Sequence, residues 1–185
     1  MTKSKNFNLI MAAIMAAMTA ILAQITIPLG LVPMTLQATG VFLMAILLGK
    51  KWGTLSALLY AFLGAIGLPV YSGGGSGFGI LFGPTGGYIF AFIVTAYLVA
   101  FLHDLAYGKL YMIFISILIG AIVMLLIGTF WLKFFTEMTL TAAFAAGFLP
   151  FIFSNSLQVI VSTLLSYTLL RRLPQSILDR LKDNK

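Results

Sequence analysis

Four uncharged amide side chains, Gln24, Gln37, Asn155 and Gln158, stand within or at the ends of otherwise apolar stretches. Asn155 and Gln158 are three residues apart, so on a helix they share a face. An amide offers both donors and acceptors, which suits a neutral polar ligand such as a ureido or amide group. The same side chains equally serve hydrogen bonds between helices, and both readings stay open. A second group is backbone rather than side chain. Residues 68–84 read LPVYSGGGSGFGILFGP, with six glycines. Gly73, Gly74, Gly75, Gly77 and Gly79 let main-chain amides approach a ligand closely. Tyr71 and Tyr88 flank this run and could stack on a flat ligand. Gly83-Pro84-Thr85-Gly86-Gly87-Tyr88 then opens a helix whose free N–H groups favour an anion. No nucleotide-binding lysine follows, so a nucleotide phosphate is disfavoured. The competing reading is a flexible re-entrant linker.

Chemistry on a substrate has little to work with. The 185 residues include no Cys, one His and four acidic residues. That excludes disulfides, thiolate metal sites and a Cys nucleophile. His103-Asp104 at a helix end reads as a surface cap. Lys133 and Glu137, four apart, read as a solvated pair, with Lys133 the one outer cation that could meet a ligand carboxylate. No metal, no cofactor and no catalytic residue is expected.

The elements that must position these groups are membrane helices. The chain is 61% hydrophobic and 8% charged, against about 25% charged in a soluble domain. Six spans are expected, at about 7–27, 36–48, 52–67, 85–102, 110–130 and 150–170. The short second and third are separated by Lys50 and Lys51, which are too costly in hydrocarbon for one uninterrupted helix. Residues 140–148 read as a short extra helix ahead of a break at Gly147 and Pro150. With the N-terminus in the cytoplasm, the inner segments hold Lys3, Lys5, Lys50, Lys51, Lys109, Arg171, Arg172, Arg180, Lys182 and Lys185, and the outer ones only Lys133. This asymmetry puts both termini inside. The expected fold is all-α: one domain, a six-helix membrane bundle with a glycine-rich outer loop over a ligand pocket. No carboxylate lies within a span, which disfavours ion coupling. No nucleotide motif supplies energy.

On the first helix Ala12, Ala16 and Ala20 lie one turn apart, with Ala13 and Ala17 beside them. Small residues at this spacing allow close helix packing in lipid. They serve either the chain's own bundle or the docking of a separate membrane subunit.

Three runs carry a family resemblance. Leu31-Val32-Pro33-Met34-Thr35-Leu36-Gln37 resembles the "PVPxTLQ" signature of the BioY family. Gly67-Leu68-Pro69-Val70, Gly73-Gly74 and Gly83-Pro84-Thr85-Gly86-Gly87-Tyr88 are similar to its "GLPVF…GG…GPTGGY" run, at matching spacing. Gly147-Phe148-Leu149-Pro150-Phe151 resembles the start of its last helix. The resemblance implies the biotin-binding S component of an energy-coupling-factor (ECF) vitamin importer in the cell membrane. It implies a transmembrane T component and two cytosolic ATPases as partners, and it assigns the alanine face of the first helix to T-component docking. It implies ligand contacts in the loop after the first helix, in the glycine segment and in the last helix. The expected binding residues are Thr35, Gln37, Tyr71, Gly73, Gly74, Gly75, Ser76, Thr85, Tyr88, Asn155 and Gln158. The last helix departs from the family's "PFxxGDxxK": Ser154-Asn155 and Gln158 place amides where an acid and a lysine stand. A related acyl heterocycle such as lipoate, or a neutral derivative, is therefore the alternative ligand. A membrane enzyme and a channel-like or structural bundle are the remaining alternatives.

Overall fold

The computed structural model describes residues 2–28, 30–105 and 108–177. Arg180, Lys182, Lys185 and the side chain of Lys3, counted in the charge asymmetry, lie outside the described residues. The elements are α1 (Thr2–Ala23), β1 (Thr26–Ile27), β2 (Met34–Thr35), α2 (Gln37–Ala65), a 3₁₀ turn (Ser72–Gly74), α3 (Phe78–Leu81), α4 (Gly86–Asp104), α5 (Leu110–Thr136), α6 (Leu140–Gly147) and α7 (Leu149–Arg172). The fold is all-α, with one two-residue antiparallel ladder pairing Thr26 with Thr35 and Ile27 with Met34.

Among the described residues, five helical segments are long and apolar enough to cross a membrane: Lys5–Ala23, Gln37–Ala65, Gly86–Asp104, Leu110–Thr136 and Leu140–Arg172. Two are compound. The last contains α6 and α7, which part at Phe148 (φ −119°, ψ −59°). The second turns on Gly49, whose φ of 74° and ψ of −174° are not helical. Only glycine takes up that conformation without strain. Residues 37–48 and 50–65 then fold back on one another. A Cβ on Gly53 would lie 2.8 Å from the Met44 carbonyl oxygen, whereas nine residues of straight helix span about 13 Å. The Gln37 side chain reaches the Tyr60 hydroxyl, which a straight helix would hold about 35 Å away. Lys50 and Lys51 mark the tip of this hairpin, and Lys50 Nζ lies 3.3 Å from Asp104 Oδ2 at the end of α4.

The first limb of the hairpin is the centre of the molecule. Every residue of 37–49 is buried, as expected of a helix apolar on all sides. α1, α4 and α7 pack on α2, and α5 packs on α4 and α7. The outward faces carry Ile10, Ile14, Phe114, Ile115, Ile122, Leu157 and Leu164 exposed. Apolar surface on that scale belongs in lipid.

Two sequence expectations are corrected by the helix α1. The first span ends at Ala23 rather than residue 27. The Thr26 hydroxyl donates to the Ala23 carbonyl at 2.7 Å, and β-branched residues run up to Pro28, which biases Ile27 toward extended backbone. The alanine stripe also divides. Ala12 and Ala16 are buried against α2, where the Ser56 hydroxyl donates to the Ala12 carbonyl at 2.7 Å. Ala20 is half-buried, while Ala13 and Ala17 are exposed. A docking surface therefore cannot include Ala12 and Ala16.

Two glycines seat aromatic rings. A Cβ on Gly64 would lie 2.1 Å from the Tyr71 ring, and one on Gly128 would lie 2.2 Å from the Tyr88 ring. Gly79 has open space around it. Gly128→Ala is expected to destabilise by about 1–3 kcal/mol through overpacking, while Gly79→Ala is neutral or mildly stabilising. Thermal unfolding of the purified protein in one detergent compares them; equal midpoints would remove Gly128 as the seat of Tyr88.

Candidate binding site

One cavity of about 630 Å³, its open mouth included, lies where the N-terminal ends of α2, α4 and α7 meet. The β2–α2 corner contributes Thr35, Gln37 and Ala38. The 68–84 segment contributes Tyr71, Ser72 and Ile80. α4 contributes Tyr88 and Phe92, with Thr85 just before it, and α7 contributes Phe151, Asn155 and Gln158. Met124 and Leu125 of α5 add an apolar wall. Seven of the residues read from the sequence thus come together: Thr35, Gln37, Tyr71, Thr85, Tyr88, Asn155 and Gln158.

Gly73, Gly74, Gly75 and Ser76 are not among the residues that line it. The 3₁₀ turn carries Gly73 and Gly74 outward, where both are exposed at positive φ. Its amides are spent within the loop: Gly74 N–H donates to the Tyr71 carbonyl at 3.1 Å, and Tyr71 N–H to the Gly75 carbonyl at 3.0 Å. The glycines let the chain turn so that Tyr71 and Ile80 point inward. The segment is fastened from both sides. Gly77 N–H donates to the Gly64 carbonyl at 2.7 Å, and Gly73 N–H to the Thr26 hydroxyl at 3.1 Å. Gln24, the fourth amide, is exposed and donates to the Ala20 carbonyl at 2.9 Å, with the Tyr71 carbonyl 3.4 Å away. It holds the segment rather than the cavity. Lys133 also stays outside, its ammonium 4.6 Å from the centre of the Phe134 ring.

Most polar groups of the cavity are already committed. The Thr35 hydroxyl donates to Gln37 Oε1 at 2.7 Å, Gln37 Nε2 donates to the Tyr60 hydroxyl, and that hydroxyl donates to the Val70 carbonyl at 2.9 Å. Gln158 Oε1 accepts from the Thr39 amide and hydroxyl, both at 3.2 Å, and its Nε2 donates to the Thr35 carbonyl at 3.1 Å. For Gln158 the interhelical reading holds. The Tyr88 hydroxyl donates to the Gly147 carbonyl at 2.6 Å and the Tyr71 hydroxyl to the Ala61 carbonyl at 2.5 Å. Both rings therefore present apolar faces. Tyr71 is 1% exposed, and burial pushes its hydroxyl up to about 12, so it remains a neutral donor.

Asn155 is the exception. It is 6% exposed. Its Nδ2 donates to the Phe151 carbonyl at 3.1 Å, which fixes the amide's orientation. Its Oδ1 has no hydrogen-bond partner. A buried acceptor left unpaired costs about 1–3 kcal/mol, so this oxygen is poised for an incoming N–H. Among the described residues, no group of three His, Cys, Asp or Glu could hold a metal ion. Ile80, Phe92, Met124, Leu125 and Phe151 were not legible as lining, because apolar side chains are abundant throughout this chain, and Ser72 was passed over among the glycines beside it.

The chain resembles known proteins over nearly its full length. The BioY family model matches residues 1–175. The biotin transporter BioY2 of Lactococcus lactis subsp. cremoris is 42% identical over 174 residues, covering 94% of this chain and 95% of the relative. The biotin transporter BioY of Thermotoga maritima is 38% identical over 162 residues, covering 88% and 95%. A crystal structure of the S-component for biotin from an ECF-type ABC transporter superposes with a TM-score of 0.87 at 31% identity, covering 94% of this chain and 95% of that one. A cavity ringed by the PVPxTLQ-like corner, Tyr88 of the GPTGGY-like turn and the last helix, in a fold that matches from end to end, makes this multi-pass membrane protein a member of the BioY family.

Proposed function

We propose that this chain is the biotin-capturing S component of an ECF-type importer in the cell membrane. The observation that carries this reading is the whole-length likeness to relatives named as biotin transporters and to a solved S-component for biotin. The cavity's chemistry agrees with it. Asn155 Oδ1 accepts a ureido N–H of the ligand. Tyr71, Tyr88, Phe92 and Phe151 wall the apolar rings and acyl chain. The chain performs no chemistry on the ligand. A transmembrane T component and two cytosolic ATPases drive inward release, and the exposed Ala13 and Ala17 with Ile10 and Ile14 form the docking face for the T component. The chain crosses the membrane six times with both termini inside, each limb of the α2 hairpin counting as one short crossing. The reversal at Gly49 and the basic pair beside it support that count.

Calorimetric titration of the purified protein with biotin and with lipoate tests the ligand. Tight binding of biotin is expected; tight binding of lipoate alone would transfer the function to that acid. Asn155→Ala is expected to weaken biotin binding by about 1–3 kcal/mol, or roughly 5- to 150-fold. An unchanged Kd would take Asn155 out of the site. Ala17→Trp is expected to abolish co-purification of the T component while biotin binding persists, and intact co-purification would refute the docking face. The chain has no Cys, so Ser76→Cys gives a single label site. Impermeant maleimide should reach it from outside intact cells. Labelling only after permeabilisation would reverse the topology.

A further inference from the structure

We infer that this cavity does not read the charge of its ligand's tail, so that uncharged acyl derivatives, a primary amide or a simple ester, are captured as well as the free acid. The inference rests on the biotin reading above and adds to it a substrate class. Discrimination between a carboxylate and an amide requires a group whose interaction differs between the two. Among the described residues that line the cavity, none is charged. The last helix offers Gln158, and both ends of that amide are consumed by Thr39 and Thr35. Gln37 is consumed in the same way by Thr35 and Tyr60. Lys133 sits on its neighbouring Phe134 ring, outside the lining.

The rival anion-binders are the helix N-termini around the cavity, and their amides are largely spent. Gln37 N–H donates to the Thr35 hydroxyl. Thr39 N–H donates to the Leu36 carbonyl and to Gln158. Gly86 N–H and Tyr88 N–H donate to the Gly83 and Thr85 carbonyls, and Phe151 N–H to that of Phe148. A carboxylate desolvated here would lack a counter-charge, which is strongly unfavourable. The tail therefore rests toward the open mouth, where water solvates acid and amide alike, and recognition falls to the N–H groups facing Asn155.

The test compares biotin, biotinamide and biotin methyl ester by calorimetry on the purified protein at low and high salt. The three Kd values are expected within about threefold of one another, and that of biotin is expected to change less than about twofold with salt. Amide and ester binding more than about tenfold weaker than acid would overturn the inference while leaving biotin capture intact. Binding of none of the three would overturn the biotin reading itself, and the inference with it. Lys133→Ala supplies the second arm. It is expected to leave the affinity for biotin unchanged; a loss of about tenfold or more would place a cation on the carboxylate and overturn charge-blindness.

Discussion

The reversal at Gly49 is the constraint on which the cavity depends. Hydrocarbon offers no water to an unpaired main-chain group, so a chain at membrane depth has to remain helical or turn where protein surrounds it. Gly49 turns at a residue for which φ of 74° costs little, beside two lysines. The turn places residues 37–48 at the centre of the bundle and returns Tyr60 to the level of Gln37. The relay from Thr35 through Gln37 and Tyr60 to Val70 exists only because the two limbs are antiparallel. It welds the corner before α2 to the beginning of the glycine segment, and the two together form one side of the binding cavity.

The opposite side is held by the last helix, and there the division of labour between two amides is decisive. Gln158 bridges α7 to both Thr35 and Thr39, so the position that faces the ligand from a sequence point of view works as a strut. Asn155, one turn earlier, has its donor tied to its own helix and its acceptor unpaired. An amide whose donor is tied to its own helix holds its free acceptor in a fixed direction. The cavity thus pairs an unpaired acceptor on Asn155 with aromatic and aliphatic walls and with polar side chains, of which Thr35, Gln37 and Gln158 are held by neighbouring groups.

Much of this was legible from sequence, and the misses share one cause. Composition and the Lys50-Lys51 pair located the helices and the break between them. Asn155, Gln37 and Gln158 stood out because polar groups in apolar spans require a reason. Phe92, Met124 and Phe151 did not, since a lining phenylalanine and a lipid-facing one are identical in the text of the chain. The glycines misled for a related reason. Positive φ at Gly73, Gly74 and Gly77 is needed to form the turn, and the sequence signal for a tight turn is the same as that for close ligand approach. On α1, spacing alone could not separate Ala12 and Ala16 from Ala13 and Ala17, because the two stripes are one residue apart and only the position of α2 tells them apart.

That division of α1 bears on how capture and delivery are joined. One face, with Ala12, Ala16 and Thr19, lies so close to α2 that a Cβ on Gly40 would meet the Thr19 hydroxyl at 2.4 Å. The other face presents Ala13 and Ala17 to the membrane. The end of the same helix, through Gln24 and Thr26, grips Tyr71, Ser72 and Gly73 of the segment that covers the cavity. In the proposed importer, a partner bearing on the exposed alanines acts on a rod whose far end is fastened to that cover. Tight packing transmits displacement rather than absorbing it. The contacts on Thr26 and Gln24 span 3.1 to 3.4 Å between small polar groups. α1 thus presents one face to α2 and another outward, and the residues just beyond its end are hydrogen-bonded to the 71–73 segment.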